Sequence, residues 1–369
     1  MAGNGNLYAS RGTKEDEYYT DLSTIENELK YYREHFKDKV IFCNCDDPYE
    51  SNFFKYFAMN FNVLGLKKLI SLGYTDSPIV YQQLSLFDVL DDEVIEERHP
   101  YKIEITEVTD ENGDGAVDLS DVELLIKNKK NILTVLKGNG DFRSEESLTV
   151  LEEADIVVTN PPFSLMKEYI PLLMTKKKKF LVLGNMNHIT FKEMFPYFKE
   201  NRIWLGYNSG HFWFKVPDYY EEKNTDFKMD ENGQKWRRLG NICWFTNLEI
   251  EKKHQPLVLY KHYTEDEYPT YDNYDAIHIR KVAEIPDDYY GVMGVPITFM
   301  DKYSPDQFDI VGITTNDKEN MWGIKTKNYT IQDAKNFTVL NAASVLVIEG
   351  KLKAQYARVL VRKKVQNED

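Results

Sequence analysis

Apolar residues recur along the chain with two alternating periods. In "LSTIENELKYYREHF" (22–36), Leu22, Ile25, Leu29 and Tyr32 fall three or four apart, the spacing of one helical face. "KVIFCNC" (39–45) follows as a short buried strand. "DDPYESNFFKYFAMNFNVLGL" (46–66) then predicts a helix, with Asp47 as N-cap, Pro48 at the first helical position and Glu50 in capping-box register. Phe53, Phe57, Phe61 and Leu64 line one face of it. "KKLISLGY" (67–74), "ADIVVTN" (154–160) and "KKFLVLGN" (178–185) read as further strands, the last two separated by the helical "SLMKEYIPLLMTK" (164–176). "NRIWLGY" (201–207) and "LGNICWFTNL" (239–248) supply two more, around the aromatic "HFWFKVPDYY" (211–220). Strands alternating with helices predict an α/β domain with a mainly parallel sheet. From about residue 250 the runs shorten and Tyr and Pro become frequent, ending in the alternating strand "AQYARVLVRKK" (354–364). The pattern predicts a domain over 1–250, interrupted by an acidic insertion at about 88–130, and a smaller region over 251–369.

Composition places this pattern in a globular protein: 42% of the 369 residues are hydrophobic and 14% aromatic. The apolar runs are too short for a membrane span, and the N-terminus lacks the apolar segment of a signal peptide. Of the three cysteines, at 43, 45 and 243, Cys43 and Cys45 share the first strand segment and point to its opposite faces, so no disulfide between them is expected and a reducing cytoplasm is. The net charge of −14 argues against a general nucleic-acid binder, but its distribution reverses that reading. Between Asp88 and Glu123 there are 14 acidic and two basic residues, which confines −12 of the total to one segment. The remainder is nearly neutral, with basic patches at Lys176–Lys179, "KWRR" (235–238) and "RVLVRKK" (358–364). A DNA partner is compatible with such a surface.

The candidate chemistry sits in "ADIVVTNPPFSL" (154–165). In open α/β sheets ligands bind beyond the carboxyl ends of strands, and Asn160 stands at such an end. Asn-Pro is also an ordinary turn signal. A catalytic reading explains more of the residues. The exocyclic amine of adenine is a poor nucleophile because its lone pair is delocalised into the ring. Two acceptors fixed on its two N–H bonds draw the nitrogen towards tetrahedral geometry. Asn160 supplies a side-chain carbonyl and Pro161 a backbone carbonyl with no N–H to compete; Pro162 stiffens the turn and Phe163 offers a ring for base stacking. Upstream, in "GNGDFRS" (138–144), Asp141 is placed to accept from an adenosyl amino group while Phe142 packs on the ring.

"DEYYTDLSTIENELKYY", "VIFCNCDDPYESNFFKYF", "GDFRS", "DIVVTNPPF", "LGNMNHIT", "WLGYNSG", "DENGQKWRRLGNICWFTN" and "GVMGVPITFMDKYSPDQFDIVG" together resemble the EcoRI-type adenine-specific DNA methyltransferase family, from about Lys14 to the C-terminus. The resemblance implies a Rossmann-like S-adenosylmethionine-dependent methyltransferase sheet and a smaller C-terminal region for DNA target recognition. It implies methyl transfer to N6 of a flipped-out adenine in duplex DNA, in a bacterial or phage-encoded enzyme acting on the nucleoid, with a cognate restriction endonuclease as possible partner. Asn160, Pro161, Pro162 and Phe163 match the catalytic motif, and Asp141 and Phe142 the adenosyl contacts. Tyr19 and Thr20 match the segment that touches the cofactor's methionine part, and Asn44, Cys45, Asp46 and Asp47 occupy the first cofactor loop. That loop lacks the Gly-rich turn of many methyltransferases, so the amino-acid end is expected at Asp46, Asp47 and the following helix N-terminus. Tyr74 and Asp76 are weaker candidates for the ribose or adenine. The same peptide motif also serves enzymes that methylate RNA amines or a protein glutamine, which is the alternative function.

Three further stretches invite a reading. "DENGDGAVDLSD" (110–121) fits a calcium loop, with Asp110, Asn112, Asp114, Asp118 and Asp121 at ligand positions. The preceding "YKIEITEV" alternates like a strand, and an Asx-rich hairpin and helix cap is the other reading. Phe212-Trp213-Phe214 and Trp236-Arg237-Arg238 are candidates for packing a flipped base and for touching phosphate.

Overall fold

The computed structural model describes residues 19–45, 51–73, 100–115, 118–128, 133–136, 140–217, 220, 226–315, 317 and 319–365. The chain divides into two compact units: Met1–Asn185 with Gly206–Leu248, and Met186–Leu205 with Glu249–Asp369. No helix among the described residues is long and apolar enough to cross a membrane.

The first unit is built on one large mixed sheet. Its strands are β1 (Tyr19–Thr20), β2 (Val40–Cys43), β3 (Lys68–Gly73), β4 (Tyr101–Ile105), β5 (Leu133–Val135), β6 (Ile156–Thr159), β7 (Lys179–Asn185), β8 (Trp204–Val216), β9 (Phe227–Met229) and β10 (Lys235–Thr246). Their order is β1-β8-β10-β7-β6-β2-β3-β4-β5, with β9 paired to β10. The centre is parallel: β3 pairs with β2, β2 with β6 and β6 with β7. These strands are continuous apolar runs because both faces are covered; β2 and β6 are buried at every position. The flanks are antiparallel. β4, "YKIEI", alternates buried and half-buried residues, the period-two pattern of a strand with one face in the core.

Helices cover the sheet: α1 (Leu22–Leu29), α2 (Asn52–Met59), α3 (Leu119–Asn128), α4 (Glu145–Glu153) and α5 (Met166–Thr175). Three begin on side-chain caps: Asp21 accepts from Ser23 N, Ser51 from Phe53 N and Ser144 from Ser147 N. The predicted helix over 22–36 is broken. Lys30 to Tyr32 interrupt it, and a separate turn of helix covers Arg33–Phe36. The helix expected to start at Asp47 and Pro48 starts instead at Asn52, because Ser51 Oγ takes the first orphan amide at 3.0 Å. "HFWFKV" is not a link between two strands but the second half of β8.

One buried carboxylate joins α1 to β8. Glu28, fully buried, accepts from Tyr32 Oη at 2.8 Å, Tyr207 N at 2.7 Å, and Asn208 N and Nδ2 at 2.8 Å each. Burial pushes its pKa up against the pull of those donors. A side chain at Gly206 would fall on the Glu28 carboxylate and on Trp244, so glycine is required there for close approach.

The second unit carries a four-stranded sheet in the order β11 (Ile277–His278), β12 (Val292–Pro296), β16 (Arg358–Lys363), β13 (Phe308–Ile313), beside a hairpin of β14 (Val345–Ile348) and β15 (Lys351–Ala354). Tyr271, Tyr274, Val292 and Leu360 anchor its core.

Candidate active site

The carboxyl ends of β2 and β6 lie side by side, in the parallel register Ile41↔Ile156 and Phe42↔Val157. A side chain stitches them: Cys45 N donates to Thr159 Oγ1 at 3.2 Å. Asn160 and Pro161 leave the sheet there. Pro162, at φ −54° and ψ 122°, holds the chain extended until the 3-10 turn Phe163–Leu165 leads into α5. The Asn-Pro-Pro-Phe peptide is therefore a rigid strand-to-helix connection, since each proline fixes its own φ and disfavours helix in the residue before it. Asn160 is half-buried and Pro161 buried; the Phe163 ring is 3% exposed, so no open face of it is presented for stacking.

Asn44, at the end of β2, is buried. Its Oδ1 accepts from the Tyr169 hydroxyl on α5. Tyr169, also fully buried, meets the Phe142 ring edge-on, with centroids 5.0 Å apart and an interplanar angle of 82°. Three segments far apart in sequence are thus joined at one edge of the sheet: Asn44-Cys45, Phe142, and the helix that follows Asn160. The joining residue, Tyr169, is not among the sequence candidates. Its place on the buried face of α5, with Met166, Ile170 and Leu173, follows from helical spacing; its partner does not.

Asp141 is held differently from the expectation. Arg143 grips it bidentately, Nε on Oδ1 at 2.8 Å and Nη2 on Oδ2 at 2.7 Å, and reaches Glu168 at 2.8 Å with Nη1. The guanidinium also stands 5.0 Å from the Phe142 ring centroid. The Arg143 hydrogen bonds hold the Asp141 carboxyl below the usual carboxylate range. Asp141 is an ionised acceptor, and a ligand amine has to share it with Arg143.

Tyr19 and Thr20 form β1, against Lys215 and Phe214 of β8. Asn52 Nδ2, on the first residue of α2, donates to the Thr20 carbonyl at 2.7 Å. The loop between β2 and α2 is therefore bounded by Asn44 at one end and, at the other, by the residue that holds Thr20. Asp46 and Asp47 within that loop, and Tyr74 and Asp76 after β3, lie outside the described residues. Of the predicted acidic insertion, 88–99, 116–117 and 129–130 lie outside them as well.

Two buried polar atoms at this edge have no hydrogen-bond partner among the described residues: Thr20 Oγ1 and Asn44 Nδ2. An orphaned buried polar group costs roughly 1–3 kcal/mol. A hydroxyl and an amide N–H suit the carboxylate of a zwitterionic amino-acid moiety, so the residues present fit the methionine end of S-adenosylmethionine.

The acidic loop closes on itself. Asp110 accepts from Gly113 N, Asp114 N and Gly115 N at 2.6–3.2 Å. Asp121, fully buried, accepts from Glu111 N, Asn112 N and Asp118 N at 2.8–3.2 Å. Asn112 Oδ1 takes Asp114 N, and Asp118 caps α3 through Ser120 N. The strand β4 precedes it where a calcium-binding helix–loop–helix would have its first helix. This is the Asx-rich turn and cap; no cation is assigned to it.

A family model described as the adenine-specific methyltransferase EcoRI matches residues 6–364. Type II methyltransferase M.EcoRI of Escherichia coli is 45% identical over 314 residues, which cover 84% of this chain and 89% of that protein. Type II methyltransferase M.MgeORF184P of Mycoplasma genitalium is 36% identical over 362 residues, and type II methyltransferase M.MpnI of Mycoplasma pneumoniae 32% over 361; each alignment covers 96% of this chain and 97% of the relative. No solved structure matches the chain.

Proposed function

The chain belongs to the EcoRI adenine-specific methyltransferase family, and from that membership we propose that it methylates N6 of adenine in duplex DNA at the Asn160-Pro161-Pro162-Phe163 turn. The observation that carries this reading is the placement of Asn160 at the carboxyl end of β6, beside Asn44 at the end of β2. Named relatives that are type II methyltransferases favour DNA and leave the RNA and glutamine alternatives without support.

The target base has to leave the stack, because its N6 is out of reach within the duplex. The Asn160 side-chain carbonyl and the Pro161 backbone carbonyl then accept its two N–H bonds, raising the nitrogen's nucleophilicity and stabilising the positive charge that develops. Stacking on Phe163 requires its turn to shift, since the ring is buried in this state. When bound, S-adenosylmethionine supplies the electrophilic methyl group. Thr20 and Asn44 hold its amino-acid end, and Phe142 with Asp141 its adenosine. Asp46 and Asp47 of the first loop remain candidates for the amino-acid end. The N–CH3 bond would form as the S–CH3 bond of the sulfonium breaks, leaving a neutral thioether, and the nitrogen then gives one proton to water, which restores a neutral amine. Residues 251–369 are assigned to target recognition, and protection of DNA against a cognate endonuclease is the biological role that fits.

The test incubates the protein with labelled S-adenosylmethionine and unmethylated genomic DNA, maps N6-methyladenine by sequencing, and runs Asn160→Ala alongside. Methylation at one short motif is expected, falling at least 100-fold in the variant, the order of loss for an electrostatic catalytic group. Cofactor binding with no DNA methylation by the unaltered chain would sink the proposal.

A further inference from the structure

Strands β8 and β10 are 13 and 12 residues long, about twice the length that β7 can pair. β7 covers only Ile242–Thr246 of β10, and the register ends at Ile242↔Asn185, the carboxyl-terminal residue of β7. Lys235–Asn241 therefore run on past that end. Gly206 lies against Trp244 and Gly240 against His211, so β8 runs antiparallel to β10 and accompanies it outward. β9 pairs with the tip, Trp236 opposite Lys228. Because β7 is parallel to β6, with Thr159↔Val182, this ribbon projects on the same side of the sheet as Asn160.

The two faces of the ribbon differ. Phe214 and Val216 are buried on one. By the two-residue period His211, Trp213 and Lys215 share the other, and there cations and indoles alternate. Lys228 Nζ lies 4.6 Å from the Trp213 ring centroid and 5.3 Å from that of Trp236. Lys215 Nζ is 5.5 Å from Trp236, and the Arg238 guanidinium 6.0 Å from Trp213. Trp236 is pinned by its Nε1 on Asp230 at 2.9 Å, and Arg238 pairs with Asp226 at 3.2 Å. Among the described residues Lys215 and Lys228 have no carboxylate within salt-bridge distance, in a chain whose net charge is −14. A lysine on an edge strand such as β9 blocks edge-to-edge pairing. That role does not account for two half-exposed tryptophans aligned beneath the cations.

We propose that this face grips the sugar–phosphate backbone of the duplex beside the target adenine. Lys215, Lys228 and Arg238 move from the indoles and from Asp226 onto phosphates, and Trp213 and Trp236 pack against sugars and unstacked bases. The inference rests on the reading that the substrate is DNA. A positively charged aromatic surface is the chemistry by which nucleic-acid backbones are held without sequence readout. It assigns the ribbon affinity and positioning, and leaves sequence choice to other residues.

The experiment measures affinity for a duplex carrying the methylated motif over a range of salt, for the full chain and for the double variant Lys215→Gln, Lys228→Gln. Each phosphate contact contributes about 0.9 to the slope of log affinity against log salt, so the slope should fall by about 1.8 in the double variant. Affinity for S-adenosylmethionine should stay unchanged, which reports an intact fold, and the methylated motif should be the same. In parallel, Trp213→Phe with Trp236→Phe should abolish most of the quenching of tryptophan fluorescence by DNA. An unchanged slope together with undiminished quenching overturns the inference while DNA methylation by the unaltered chain leaves the activity standing. Absence of DNA binding and methylation in the unaltered chain overturns both.

Discussion

Tyr169→Phe isolates one hydrogen bond on which the proposed cofactor edge depends. The Tyr169 hydroxyl is the donor to Asn44 Oδ1, and both residues are buried. The substitution removes a single oxygen and leaves the ring against Phe142, so little packing is lost. It does leave Asn44 Oδ1 without that donor, on an amide whose Nδ2 already has no partner among the described residues. Only the weak Cys45 Sγ–H donor, at 3.6 Å, is then left to that oxygen, and the lost hydrogen bond costs about 1 kcal/mol, which should appear as lost stability in urea unfolding. The amide also loses what holds its orientation. If Nδ2 donates to the cofactor carboxylate, restoring that orientation costs about one net hydrogen bond, about 1 kcal/mol, and S-adenosylmethionine should bind roughly fivefold more weakly. Titration calorimetry reads this directly. Asn44→Ala removes the same donor, so the double variant should bind no worse than Asn44→Ala alone, a departure from additivity of about 1 kcal/mol. If Tyr169→Phe loses stability while its affinity stays within the error of the unaltered chain, Asn44 does not face the cofactor and the assignment fails.

Two other outcomes follow from the buried polar groups. Glu28→Ala strips the acceptor from Tyr32 Oη, Tyr207 N and Asn208 N at once, and at roughly 1–3 kcal/mol per buried donor left unsatisfied should cost about 3 kcal/mol or more in denaturant unfolding; a loss under 1 kcal/mol would mean that water replaces the carboxylate freely. His188 is 1% exposed, and burial pushes its pKa down to about 3 from the ordinary 6.5. Between those values the unfolded chain takes up a proton that the folded chain refuses, so stability is full above pH 6.5 and is lost as pH falls. At pH 5 the loss should be about 2 kcal/mol, and His188→Gln should flatten that part of the stability–pH profile.

What the linear pattern determined is what local spacing can encode. The apolar runs of β2, β6 and β7 could only be buried strands, and the buried face of α5 follows from its three-to-four spacing. Asn160 at a strand end was readable for the same reason, because prolines end a strand wherever they fall. Element boundaries were less legible: Ser51 competes with Asp47 as a cap on equal chemical terms, and nothing nearby shows which wins. The length of β8 was hidden because Trp204 to Val216 mixes aromatic, polar and glycine positions without a single period. The excursion Met186–Leu205 into the second unit carries no local mark at all. Tertiary structure alone decided the partners. Asn44 and Tyr169 are 125 residues apart, Cys45 and Thr159 are 114 apart, and Glu28 and Tyr207 are 179 apart. A side chain's periodicity states which face it occupies; the atom it meets depends on which strands pair and in what register, and only the assembled sheet specifies that.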